Sequence, residues 1–144
     1  MKEQAKQDPA IIKKFKEYDV PIDDIDDVSV QFCDLDVSAK TKNREIFLNE
    51  KMLDDDSDVK DPTHYLIHEL VHYLQQSTGQ NCKHNKNKDY LDLDTEEEAF
   101  KTQINFKKRE ESEKEADDYV EKLLDHHDLV GTERDKKKKE LMEE

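Results

Sequence analysis

His68-Glu69-Leu70-Val71-His72 lies within Tyr65-Leu66-Ile67-His68-Glu69-Leu70-Val71-His72-Tyr73-Leu74, a run whose other positions are uncharged and mostly apolar. The 144-residue chain is 43% charged, so this run is the segment most strongly driven out of water. Asp61-Pro62 supplies an N-cap followed by proline at the first helical position, and Ser77-Thr78-Gly79 supplies a stop. The signals predict a helix over about 62–77. Leu66, Ile67, Leu70, Val71 and Leu74 cover a wide apolar sector, and the two histidines share the remaining arc with Tyr65. A helix so nearly apolar throughout belongs at the centre of the domain.

The H-E-x-x-H spacing has a chemical reading. Residues i and i+4 project from one helix face, so both imidazoles can reach one zinc ion at roughly 2.0–2.1 Å. Glu69 lies about 100° around the helix from His68, outside the chelating direction but placed to take a proton from a water on the metal. A catalytic zinc takes three protein ligands and keeps an open position, so a third ligand is expected downstream.

Helical phase narrows the choice. Thr95-Glu96-Glu97-Glu98 fits a capping box that opens a helix whose apolar face carries Ala99, Phe100, Ile104 and Phe106. Glu96 falls about 60° from Ala99, inside that face, whereas Glu98 falls opposite and is expected to cap. Ser112-Glu113-Lys114-Glu115 repeats the pattern ahead of Ala116, Tyr119, Val120, Leu123 and Leu124. Glu113 points inward by the same test, with Asp117 available to hold a histidine. Glu96 is preferred because fewer residues separate it from His72; Glu113 stays open as the alternative.

Upstream, Asp8-Pro9 starts a short helix over Ala10 to Tyr18 bearing Ile11, Ile12 and Phe15. Val28 to Phe32 and Glu45 to Asn49 alternate as half-buried strands, with a polar turn at Lys42-Asn43-Arg44, and are expected to pair antiparallel. Residues 1–131 read as one domain and 132–144 as a charged C-terminal helix or tail without chemistry of its own. The expected class is α+β: a small antiparallel sheet beside a helical bundle with the motif helix at its centre.

Composition bounds the partners. A net charge of −14 disfavours binding to nucleic-acid phosphates. Cys33 and Cys82 form no C-x-x-C pair, and Cys82 near His84 offers only a weak second metal pattern. The absence of an apolar run near 18 residues, and of a hydrophobic stretch after Met1 to Gln7, gives the expectation of no membrane span, no secretion signal and a cytoplasmic setting.

His68-Glu69-Leu70-Val71-His72 followed by Glu96-Glu97-Glu98-Ala99 resembles the H-E-x-x-H plus E-x-x-A pattern of small gluzincin metallopeptidases, often encoded by phages and bacterial mobile elements. The likeness covers roughly residues 28–125, and only the five-residue motif is specific. It implies a zincin-like fold, zinc held by His68, His72 and Glu96, Glu69 as general base, and a protein or peptide substrate. It also implies that Glu45 to Asn49 lines the substrate cleft and that a tyrosine or histidine stabilises the oxyanion, for which Tyr90 and His64 are the candidates. The rival expectation is a non-catalytic protein, either a zinc-stabilised structural or virion component or an acidic decoy of a basic-protein binder.

Overall fold

The computed structural model describes residues 1–54, 62–77 and 93–143. The described elements are α1 (Lys2–Gln7), α2 (Pro9–Glu17), a 3-10 turn (Ile22–Asp27), β1 (Val30–Cys33), β2 (Ala39–Lys42), β3 (Glu45–Asn49), a second 3-10 turn (Glu50–Leu53), α3 (Thr63–Ser77), α4 (Asp94–Glu110), α5 (Glu113–His126) and α6 (Gly131–Met142). The class is α+β, mostly helical, as the sequence implies.

The motif helix α3 is central. Eleven of its fifteen residues are buried, and Leu66, Ile67, Leu70, Val71 and Leu74 are fully enclosed. Each such side chain contributes about 1.5–3 kcal/mol on leaving water, which offsets the sparse apolar content elsewhere. One side of α3 packs on α1, α2 and the sheet through Ala5, Ile11, Phe15, Ile46 and Leu48. Another packs on α4, whose Ala99 and Phe106 join the same core. A second cluster, Phe100, Ile104, Ala116, Val120, Leu124 and Leu141, ties α4 to α5 and α6.

The sheet corrects the expected antiparallel pair. Its order is β1-β3-β2; β1 runs parallel to β3, with Val30 opposite Ile46, while β2 pairs antiparallel, with Ala39 opposite Leu48. An extra strand explains the difference. Chain reversal after β1 produces β2, and a two-residue turn at Asn43 and Arg44, both at positive φ, reverses it again into β3. Two reversals leave β1 and β3 pointing the same way. β2, Ala39-Lys40-Thr41-Lys42, has no apolar run because it is an edge strand, where lysines protect the open side.

Three local expectations also change. The helix α4 begins at Asp94, with Leu93 in the cap position and no side-chain cap, so Thr95 to Glu98 is not a capping box. Glu98 instead accepts hydrogen bonds from Lys14 of α2, from Tyr18 just after that helix and from Gln75 of α3. The C-terminal segment is a helix, but not a fully exposed one: Leu141 is enclosed, and buried Lys137 pairs with Glu97 and Glu140. The caps at Asp8 and Ser112 follow the sequence, with Asp8 accepting from the Ile11 amide and Ser112 from the Glu115 amide. No described helix is long and apolar enough to cross a membrane.

Candidate metal centre

One helical turn separates His68 from His72 on α3, and their imidazoles meet edge to face, with Nε2 atoms 3.2 Å apart. The first turn of α4 brings Glu96 to the same point. Its Oε1 contacts Nε2 of His72 and lies 3.6 Å from Nε2 of His68. All three side chains are buried, and their ligand atoms lie within 4.8 Å of one another. Phe100, one turn beyond Glu96, packs its ring 4.5 Å from that of His68 and closes one side of the cluster.

The donor set fits a metal ion. Ligands at roughly 2.0–2.1 Å in tetrahedral geometry stand about 3.3 Å apart, close to the observed separation of the two Nε2 atoms. The other carboxylate oxygen, Oε2 of Glu96, is buried with no hydrogen-bond partner among the described residues. A buried bare carboxylate oxygen costs free energy unless a cation or proton attends it. Two imidazole nitrogens and a carboxylate oxygen are a set that divalent transition metals accept.

Protonation tells the same story from the other side. Burial opposes a charge on His72, but the hydrogen bond and charge of Glu96, the charge of Glu69 and a hydrogen bond with Gln75 outweigh it and raise the His72 pKa to about 9. Burial likewise opposes the charge on Glu96, yet hydrogen bonds and positive charge from His68 and His72 hold its carboxyl well below the usual carboxylate range. Without a metal, the cluster therefore holds a proton at neutral pH, shared by His72 and Glu96. A metal ion would replace that proton.

Glu69 turns away from the chelating direction, as its position in the helix requires. Oε1 accepts a hydrogen bond from the Thr41 hydroxyl at 2.9 Å, and Oε2 lies 3.9 Å from Nε2 of His68. The same hydroxyl lies 3.1 Å from the Glu69 carbonyl oxygen, so its one proton is shared between the two acceptors and β2 is fastened to α3 at this residue. A cleft of ≈ 530 Å³ reaches both His68 and Glu69; Ser38 and Ala39 border it on the sheet side, and Tyr119 and Leu123 on the α5 side. The cleft-side strand is β2 rather than β3, which occupies the middle of the sheet.

The remaining candidates separate cleanly. Glu113 is exposed at the start of α5, and Asp117 pairs with Lys138, so neither joins the histidines. His64 is buried, stacked on Tyr65 at 4.2 Å and edge-on to Tyr119 at 5.4 Å, with Nδ1 hydrogen-bonded to Gln103. Tyr90, Cys82 and His84 fall outside the described residues.

The sequence reading missed four contributors: Thr41, Gln75, Gln103 and Tyr119. Gln103 stands 2.9 Å from Nδ1 of His68, and Gln75 2.8 Å from Nδ1 of His72. Position could have found both, since Gln75 is three residues after His72, and Gln103, seven after Glu96, returns to the same face of α4. Tyr119, partly buried, lines the cleft, and its removal from water drives the phenol pKa far upward. No protein-family model, curated protein or solved structure matches the chain.

Proposed function

We propose that the protein is a zinc-dependent metallopeptidase of the gluzincin type, with His68, His72 and Glu96 holding the metal and Glu69 serving as general base. The observation that carries the reading is the convergence of these three buried ligand atoms beside a cleft that also exposes the Glu69 carboxylate. The zinc, when bound, supplies Lewis-acid polarisation and lowers the pKa of a water at its open position.

The chain's own residues supply the rest. Thr41 holds one oxygen of Glu69, leaving the other to accept a proton at the edge of the ligand cluster. Tyr65 and Tyr119 present hydroxyl-bearing rings along the cleft wall, hydrogen-bonded to Ser38 and Gln103 respectively. β2 is an edge strand whose first residue borders the cleft, a setting suited to an extended peptide. The net charge of −14 favours peptides of basic or neutral character at the encounter stage.

The test is cleavage of a diverse peptide library by zinc-loaded protein, read by mass spectrometry beside Glu69→Gln. The expected result is a set of cleavages that disappears in the variant while zinc content stays at one per chain. Full zinc occupancy with no cleavage by the parent, or equal cleavage by the variant, would instead support the non-catalytic structural role.

A further inference from the structure

An imidazole carries its proton on one nitrogen only when neutral, and a metal takes the other, so a two-histidine site works only if both rings adopt matching tautomers. Within the trio, the Glu96 carboxylate accepts at Nε2 of His72, so a metal can replace a proton there only if Nδ1 keeps its own. On the far side of each ring stands a buried primary amide: Gln103, fully enclosed, at His68, and Gln75, 2% exposed, at His72.

Gln75 can face only one way. Its Nε2 lies 3.0 Å from the Thr95 carbonyl oxygen and 3.0 Å from Oε1 of Glu98. Both are acceptors, so the NH2 end must point at them. The amide oxygen is thereby turned to Nδ1 of His72, which must donate, and Nε2 of His72 is left facing Glu96. At the other ring Gln103 presents Oε1 to Nδ1 of His68 and Nε2 to Nδ1 of His64 at 2.7 Å. In this orientation of Gln103, Nδ1 of His64 is the acceptor.

We propose that Gln75 and Gln103 are a pair of positioning residues that hold His72 and His68 as Nδ1–H tautomers, so that both Nε2 lone pairs address a single metal ion. The inference rests on the metal-centre reading but not on peptidase activity. It also explains why these partners are amides rather than the carboxylates common behind metal-bound histidines. At position 75 a glutamate would set its second oxygen against the Thr95 carbonyl and the Glu98 carboxylate. At position 103 the second oxygen would meet His64, whose ring can turn donor. The two positions therefore make opposite predictions for the same substitution.

The experiment combines zinc affinity, measured by competition with a chromogenic chelator, with long-range ¹H–¹⁵N spectra of histidine-labelled zinc-loaded protein. Wild-type protein is expected to show a proton on Nδ1 of both His68 and His72. Gln103→Met and Gln75→Met should each weaken zinc by about tenfold to a hundredfold, the usual effect of losing such a partner, and mix the tautomers of the ring concerned. Gln103→Glu should restore affinity; Gln75→Glu should not. Packing alone would lower the melting temperature of the Met variants while leaving tautomer and affinity in place, and that result overturns the proposal. So does equal weakening by Gln103→Met and Gln103→Glu. If the Met variants do not fold, Gln103→Glu and the wild-type spectra decide, and Nε2–H at His68 in wild-type protein refutes the assignment. A wild-type protein that binds no zinc refutes the metal centre itself, whereas zinc bound with Nε2–H at either ring refutes only the tautomer assignment.

Discussion

Replacing Glu96 by glutamine should change how the metal-free protein responds to pH. In the folded chain Glu96 and its neighbours raise the His72 pKa to about 9, against an ordinary value of 6.5. Because the folded value is the higher, the resulting stability is complete below pH 6.5 and is lost as pH rises through about 9. At 1.36 kcal/mol per pKa unit the shift corresponds to about 3 kcal/mol, counted once for the His72–Glu96 pair. The Glu96 carboxyl, held below its usual range, acts in the opposite window: its contribution is present above pH 4.5 and fades as pH falls further. Urea unfolding of chelator-treated protein at pH 6.5 and pH 10 should therefore show wild type losing about 3 kcal/mol more than Glu96→Gln over that interval. Parallel pH profiles in the two proteins would refute the coupling and, with it, the idea that a proton stands in the metal's place.

Zinc binding near pH 7 should release about one proton, read by calorimetry in buffers of differing ionisation enthalpy; a heat independent of buffer would contradict the exchange. Glu96→Ala should weaken zinc by at least an order of magnitude, whereas Glu113→Ala, at an exposed first-turn position, should leave zinc affinity unchanged and cost only a fraction of a kcal/mol of stability, about what a helix-dipole contact is worth. Asp8→Ala removes both the α2 cap and the buried partner of Arg109, and should cost about 2–4 kcal/mol in urea unfolding; a loss under about 1 kcal/mol would show the contact with Arg109 to be unimportant.

The central helix and the His68, His72 and Glu96 cluster were legible because their signals are local and periodic. His68 and His72 share a face by spacing, and Glu96 is separated from Glu98 by helical phase alone. β2 was not legible, since an edge strand of alternating lysines lacks the apolar pattern that marks β1 and β3. Missing it also reversed the expected direction of the β1–β3 pairing. Glu98 was misread for a different reason: a local capping pattern was outweighed by three tertiary donors, Tyr18, Lys14 and Gln75, which no short-range rule anticipates. Gln75 and Gln103 carry no charge and belong to no motif, so only the completed packing of α3 on α4 distinguishes them from surface amides. Thr41 needed the unforeseen strand before it could be brought to Glu69.

The most direct measurement is anomalous diffraction at the zinc edge from crystals of protein purified without added metal. The account predicts one zinc peak per chain within about 2.0–2.2 Å of Nε2 of His68, Nε2 of His72 and a carboxylate oxygen of Glu96, with a remaining position open to the cleft beside Glu69. A peak coordinated by other residues, a peak at the iron edge instead, or no metal density between the three side chains would contradict it.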